Sequence, residues 1–394
     1  MFLRGSLARA IIVAAYATIS FLVLNDSKAA SGDGEYLKLF ENGREKMKRG
    51  EFSAAIIDFS KALGLNTNCA ECFSSRSWAK LRLRDSEGAE ADATQSIRLD
   101  SKDVFAYTVR SLARSDKDDM DGALRDINQA IELKPQVVYL YKLRGNIEEY
   151  KRDAEGALKD YDYVIEKSGE ADDYLRRAYL KAAKGDLEGG LADCKIAIEK
   201  DGTDGHAYSE RAHIKAAVND LTGSLSDFNQ AARLETNANV FACRGLTKQR
   251  TDDLKGAVAD FQLAVQSNPT NHDYGSINLW LAQCRMGEKN KADDRLLEYL
   301  AVRGKSKAPD WPLTIMRFLL GRISEKELEE AARSAVPKKE GKQKCECYYY
   351  LGMKRQIEGN KPEALAAFRQ CVETRLITLC EFGAAQSEIT ALEK

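Results

Sequence analysis

Residues 123–130 read Ala-Leu-Arg-Asp-Ile-Asn-Gln-Ala, with a small residue at each end and a large one four positions after the first. Variants of this phrase recur every 33 or 34 residues in seven consecutive stretches, from Ala55 to Ala264. Its three key positions are spaced i, i+4 and i+7, so they share one face of an α-helix. A fixed repeat of this length is typical of helix pairs stacked into a solenoid. The sequence therefore predicts an all-α repeat fold.

Each repeat can be numbered so that the first small residue of the phrase is position 20 of 34. Position 8 is then also small, which lets two helices approach closely, and a mostly bulky position 24 fills the remaining gap. Position 8 holds Gly43, Ser77, Ser111, Gly145, Ala178, Ala212 and Gly245. Position 24 holds Phe59, Ala93, Ile127, Tyr161, Cys194, Phe228 and Phe261.

An aromatic residue at position 4 completes the pattern, as Phe73, Tyr107, Tyr141, Tyr174, Tyr208 and Phe241. Together these positions resemble the tetratricopeptide repeat (TPR) family over residues 36–271, as seven repeats. The resemblance implies two antiparallel helices, A and B, per repeat, stacked into a right-handed superhelical solenoid. Gly50 and Gly185 fall at the turn between the two helices, where a residue without Cβ is useful.

Two charged positions go beyond that pattern. Position 7 is Arg in six consecutive repeats, at Arg76, Arg110, Arg144, Arg177, Arg211 and Arg244. Position 23 is Asp in all seven, at Asp58, Asp92, Asp126, Asp160, Asp193, Asp227 and Asp260. These residues could form a charged binding track or a structural Arg–Asp ladder between packed helices. We favour the ladder, because position 23 lies on the packed side, where a carboxylate needs a partner.

The spacing does not decide whether each Asp pairs with the Arg of its own repeat or of the next one. We predict pairing with the next repeat. The predicted pairs are Asp58–Arg76, Asp92–Arg110, Asp126–Arg144, Asp160–Arg177, Asp193–Arg211 and Asp227–Arg244.

The pattern weakens after residue 271. Residues 273–306 form a degenerate repeat, in which Trp280 replaces the small residue at position 8. Residues 307–344 are predicted to form a short irregular helical insert, with a capping box at Ser324 and Glu327, followed by a charged linker from residue 337. One more repeat at 345–378 and a capping helix at 379–394 complete the chain.

This C-terminal part resembles the corresponding module of bacterial envelope TPR adaptors of the periplasmic lipoprotein type. The resemblance rests on Leu279-Trp280-Leu281, Trp311-Pro312, residues 320–324, residues 350–352 and Glu381-Phe382. It implies an adaptor or scaffold role. The first cysteine of this chain is Cys69, so the chain lacks the cysteine that would carry the lipid in such lipoproteins.

Residues 1–29 have the three parts of a secretory signal peptide. Arg4 and Arg9 are basic, Ala10–Leu24 is an apolar run, and Ser27-Lys28-Ala29 fits a small-x-small cleavage site. The signal predicts a periplasmic or secreted protein. In the alternative, the segment is retained as an inner-membrane anchor and the rest faces the periplasm, although the run is shorter than the ~20 residues of a typical span.

The nine cysteines suggest some disulfides in an exported chain. Cys69-x-x-Cys72 could be a redox pair, a structural disulfide or two free thiols. Cys345, Cys347, Cys371 and Cys380 cluster near the C-terminus, where a four-cysteine zinc site is conceivable and a disulfide is favoured. Our candidate is Cys347–Cys371.

No catalytic motif of the Ser/His/Asp, HExxH, P-loop or GxGxxG kind occurs. His206 and His213 share a helix face, but two ligands without a third make a poor metal site. The charges balance at 60 Lys+Arg against 61 Asp+Glu, so the overall charge predicts no nucleic-acid binding. The sequence predicts a protein that is not an enzyme and binds neither cofactor nor metal.

In the TPR family, helix A lines the concave surface through positions 2, 5, 9, 12 and 13. The resemblance therefore implies a partner-binding groove formed by Phe40, Arg44, Trp78, Phe105, Leu112, Tyr139, Lys142, Asn146, Tyr179, His206 and His213. Exposed aromatics suit an extended peptide or a partner helix, although some could instead pack on neighbouring A helices. Lys142 and Asn146 match the first step of a known carboxylate clamp, but Glu210 would repel a carboxylate, so we do not predict the clamp. The sequence predicts an exported scaffold or adaptor that binds protein or peptide partners, or alternatively a membrane-anchored assembly subunit.

Overall fold

A computed structural model describes residues 34–267, 273–303, 310–333, 337–376 and 380–393. The predicted signal peptide, residues 1–29, lies outside the described residues. Within the described ranges the regular secondary structure is helical and includes no strand, which confirms the all-α prediction. None of the described helices is both long enough and apolar enough to cross a membrane.

The chain forms two compact units that divide after Gly169. The N-terminal unit contains four helix pairs. They are α1 (Glu35–Lys48), α2 (Phe52–Leu65), α3 (Ala70–Arg82), α4 (Ser86–Leu99), α5 (Val104–Asp116), α6 (Met120–Leu133), α7 (Val138–Lys151) and α8 (Ala154–Lys167).

The C-terminal unit, from Glu170 onward, continues the pairs and adds the irregular region. Its helices are α9 (Ala171–Ala183), α10 (Leu187–Lys200), α11 (Gly205–Ala217), α12 (Leu221–Leu234), α13 (Ala238–Arg250), α14 (Leu254–Ser267), α15 (Asp273–Arg285), α16 (Lys289–Arg303), α17 (Trp311–Leu319), α18 (Glu325–Ala331), α19 (Pro337–Ile357), α20 (Lys361–Glu373) and α21 (Cys380–Leu392).

The turn between helices A and B has a fixed local chemistry. The residue at position 15 adopts a positive φ, both where it is glycine, as at Gly50 (77°) and Gly185 (91°), and where it is not, as at Arg84 (66°). An Asp N-cap then starts most B helices. In α4, for example, Asp85 Oδ1 accepts a hydrogen bond of 2.8 Å from the Gly88 N–H, which satisfies one free donor of the first turn.

The interior of each pair is built from the small and large positions of the repeat. Phe59 of α2 is fully buried against Gly43 of α1, and a Cβ added to Gly43 would lie 2.6 Å from the Phe59 ring. Gly245 and Phe261 have the same relation at 2.7 Å. The absence of a side chain at position 8 therefore makes the space that the ring at position 24 occupies.

The structure corrects the predicted linker at residues 337–344, because Pro337–Ile357 is one continuous helix. Charged side chains in its first turns pair at helical spacing, as Glu340 with Lys344 at 2.6 Å and Lys342 with Glu346 at 3.4 Å. Such pairs support a helix rather than an extended linker. The capping box predicted at Ser324 and Glu327 is confirmed at the start of α18.

Candidate functional site

The Arg–Asp ladder forms within the six repeats that have Arg at position 7. Arg76 Nε lies 2.7 Å from Asp92 Oδ2, and its Nη2 lies 2.8 Å from Asp92 Oδ1. The same two-bond fork joins Arg110–Asp126, Arg144–Asp160, Arg177–Asp193, Arg211–Asp227 and Arg244–Asp260. The prediction that each Asp pairs with the next repeat is therefore wrong. Positions 7 and 23 face each other across the hairpin formed by helices A and B.

Position 11 supplies a second cation that the sequence reasoning missed. The added pairs are Lys80–Asp92 at 2.7 Å, Arg114–Asp126 at 2.8 Å, Lys181–Asp193 at 2.9 Å, Lys215–Asp227 at 2.8 Å and Lys248–Asp260 at 2.9 Å. In the first repeat, where position 7 is Asn42, Lys46 at position 11 binds Asp58 at 2.6 Å in place of an Arg. The signal was present in the sequence, as Lys or Arg at position 11 in six of the seven repeats. Since these carboxylates are buried and already bound, the geometry favours the structural ladder over a binding track.

Repeat four is the exception, because Glu148 occupies position 11. Its carboxylate lies close to the buried carboxylate of Asp160 instead of neutralising it. Burial and, after it, the charge of Asp160 raise the pKa of Glu148 to about 7, and Arg144 lowers it by less than these two raise it. Arg144 alone supplies the fork to Asp160, at 2.8 and 2.7 Å.

Replacing Glu148 with Lys is expected to stabilise the chain at pH 8 by about 1–2 kcal/mol, because it removes a half-buried acid and restores the missing cation. The folded state holds the Glu148 proton more tightly than the unfolded state does. The wild type should therefore lose stability as pH rises from about 4.5 to 7. Urea unfolding at pH 5 and pH 8 measures this, with Glu148→Gln as the charge-removal control. An equal gain at both pH values would contradict the explanation.

Several residues of the predicted groove are buried in the N-terminal unit. Phe40, Trp78 and Tyr139 are at most 8% exposed, and Arg44 and Asn146 are buried with them. Trp78 packs edge-on against Phe105, with ring centroids 6.3 Å apart. Asn146 Oδ1 accepts a hydrogen bond of 2.7 Å from the Tyr161 hydroxyl, so it is engaged inside the repeat. Lys142 is half-buried beside this region. For these aromatics the packing alternative describes the structure.

In the C-terminal unit, a cavity of about 220 Å³ opens on the helix A face. Tyr179 and His213, both predicted groove residues, line it, whereas His206 lies outside it and is exposed. Tyr179 is 38% exposed. The other lining residues are Ala182, Leu187, Glu210, Ile214, Ala216, Ala217, Phe228, Cys243, Leu246, Thr247, Arg250 and Gly383.

The C-terminal helix α21 contributes to this cavity through Gly383. Arg250 of α13 links α21 to α11. It donates to Ser387 Oγ of α21 at 2.7 Å and to the Ala216 carbonyl of α11 at 3.0 Å. Farther along α21, Glu388 accepts from Arg285 at 2.8 Å. Helix α21 therefore packs against the A helices of its own unit as well as following the last repeat, a contact that the repeat pattern did not indicate.

The cysteines are arranged differently from our prediction. Cys69 and Cys72 form a disulfide at the start of α3. Cys345, Cys347 and Cys371 are all free thiols in this structure, and the predicted Cys347–Cys371 disulfide is wrong. Cys345 and Cys347 are two residues apart on one helix, so they lie on different faces of it. Cys345 is the one next to Cys371, and the two Sγ atoms are 3.4 Å apart. Among the described residues, no group of three or more His, Cys, Asp or Glu side chains could hold a metal ion.

No protein-family model and no curated protein matches the chain. Among solved structures, it is similar to a TPR protein from Parabacteroides merdae, with 18% identity and a TM-score of 0.50, covering 63% of this chain and 98% of that one. This likeness supports the TPR fold. YrrB, a TPR protein described as having an unusual peptide-binding site, is 18% identical over 46% of this chain and 95% of its own, with a TM-score of 0.39. At that score it adds nothing to the assignment.

Proposed function

We propose that this chain is a non-enzymatic scaffold or adaptor that binds a protein or peptide partner on the helix A face of its C-terminal unit. The observation that carries the proposal is the cavity around Tyr179 and His213. In the N-terminal unit the corresponding face is filled by the chain's own aromatics, whereas here an aromatic side chain remains accessible beside open volume.

The size of the cavity favours a macromolecular partner. Pockets for small molecules and cofactors typically enclose about 300–1,000 Å³. A volume of about 220 Å³ instead suits one or two side chains inserted from a partner. Leu187, Ile214 and Leu246 provide apolar walls, and Glu210 adds a carboxylate at the edge. Arg250 also lines the cavity and offsets the charge of Glu210, so the apolar walls favour an apolar side chain.

Replacing Tyr179 with Ala is expected to weaken partner binding about 30-fold, since a central interface aromatic typically contributes about 2 kcal/mol or more. Peptides that bind residues 31–394 would be selected from a displayed random-peptide library. The Kd of each selected peptide would then be measured by calorimetry. Leu263→Ala is the matched control, because Leu263 is similarly exposed, at 41%, lies in the same unit and is outside the cavity. Equal affinity of the Tyr179 variant and the wild type would refute binding at this cavity, and a library that yields no binder would count against the function.

We also propose that the protein is exported, to the periplasm or outside the cell, with residues 1–29 removed. The support is the signal-like sequence of this segment and the resemblance of residues 273–394 to periplasmic adaptors. The alternative is an anchored assembly subunit that retains the segment. Sequencing the N-terminus of the mature chain separates the two, because a start near Ala30 or Ser31 contradicts the anchor and a start at Met1 contradicts cleavage.

A further inference from the structure

Two buried sulfur atoms lie side by side in the last repeat. Cys345 of α19 and Cys371 of α20 are both fully buried, and their Sγ atoms are 3.4 Å apart. The two residues are 26 positions apart in the chain. Neither belongs to the cavity described above.

The repeat itself explains why they meet. Cys345 is position 1 and Cys371 is position 27, and these positions are in contact in other repeats. Ser96 Oγ at position 27 donates to the carbonyl of Ala70 at position 1, at 2.7 Å. In the degenerate repeat, the Tyr299 hydroxyl donates to Asp273 Oδ1 at 2.9 Å. The last repeat is the one whose sequence places cysteine at both positions.

Cys347 occupies a different side of α19. It is buried, and burial, together with the carboxylates of Glu329 and Glu325 on α18, raises the pKa of its thiol. Cys345 faces α20 instead, where Cys371 Sγ also contacts the Glu381 carbonyl at 3.8 Å. The pair therefore lies where α19, α20 and the start of α21 meet.

We propose that Cys345 and Cys371 form a second disulfide of this chain when it folds in the presence of a disulfide donor. Both S–H bonds break and one S–S bond forms. The two electrons and two protons pass to the donor, either glutathione disulfide or an oxidoreductase disulfide, which becomes two thiols. The contact with Cys345, and after it burial, raises the pKa of the Cys371 thiol, and thiolate is the attacking species in exchange. Because both thiols are fully buried in the folded chain, we expect the bond to form before α19 and α20 close over the pair.

The disulfide would tie α19 to the end of α20, beside the first turn of α21. Closing a loop of this length restricts the unfolded chain, and the expected increase in Tm is about 5–10 °C relative to the reduced protein. The effect should be absent in Cys345→Ser and in Cys371→Ser and retained in Cys347→Ser.

The chain after residue 30 is refolded in a glutathione redox buffer, alkylated without reduction and digested with trypsin. We expect peptide 345–354 linked to peptide 370–375, with fragmentation placing the bond on Cys345. Peptide 62–76 carries Cys69 and Cys72 and is the internal standard for oxidation. With its disulfide formed, it should be unalkylated and two mass units lighter than the same peptide in its reduced form. Alkylated Cys345 and Cys371 beside an oxidised standard would overturn the proposal, as would a bond on Cys347. Circular dichroism of the serine variants verifies that they fold.

Discussion

Replacing Arg144 with Ala is expected to lower the free energy of unfolding by about 3–5 kcal/mol, the cost of leaving a buried charge without its partner. Asp160 is 2% exposed, and both of its oxygens bind Arg144. Glu148 takes the place of the second cation, so the variant would leave two neighbouring carboxylates without compensation. Urea unfolding followed by circular dichroism at pH 8 measures the loss.

Arg110→Ala is the matched control, in the same compact unit and at the same repeat position. Here Arg114 still binds the buried Asp126, at 2.8 Å, so the expected loss is about 1–2 kcal/mol. Adding Glu148→Lys to Arg144→Ala should recover part of the lost stability. Equal losses for the two arginines would contradict the importance of the second cation.

The difference between Arg144 and Arg110 shows which parts of the ladder can be predicted from the sequence. The register identified the ladder residues because Arg and Asp recur at fixed positions. It did not identify the partners, because Arg76 is 18 residues after Asp58 and 16 before Asp92, and sequence separations this similar do not show which helices are in contact. The contribution of position 11 could have been predicted, since a buried carboxylate with four acceptor sites has room for a second donor.

The candidate site was harder to predict for a physical reason. The repeat pattern tells which side of helix A a residue occupies, but neighbouring repeats decide whether that side is open. Trp78 at position 9 is followed by Phe105 at position 2 of the next repeat, and the two rings pack together. Tyr179 at position 9 is followed by His206, which is exposed, and Tyr179 remains accessible. The presence of α21 at the cavity depends on contacts between distant parts of the chain, which no local pattern encodes.

Phe59→Ala is expected to cost about 3–5 kcal/mol, as is usual for truncating a fully buried aromatic side chain. Phe59 has no exposed surface, and it fills the space that Gly43 leaves. Because Gly43 is in the interior of a helix, exchanging it for Ala would by itself favour the helix by about 1 kcal/mol. With Phe59 present, however, the added Cβ would lie 2.6 Å from the ring, and we expect Gly43→Ala to cost about 1–3 kcal/mol overall.

The two changes together test whether positions 8 and 24 act as one packing unit. In the Phe59→Ala background the clash is gone, so Gly43→Ala should become neutral or stabilising, by up to about 1 kcal/mol. Gly145→Ala is the control in the same compact unit, because its Cβ would lie 3.4 Å from Asp160 and Tyr161, close to ordinary contact. Urea unfolding of the four proteins in the cycle gives the coupling energy. Additive costs at Gly43 and Phe59 would mean that the glycine is required by the backbone of α1 and not by the ring opposite it.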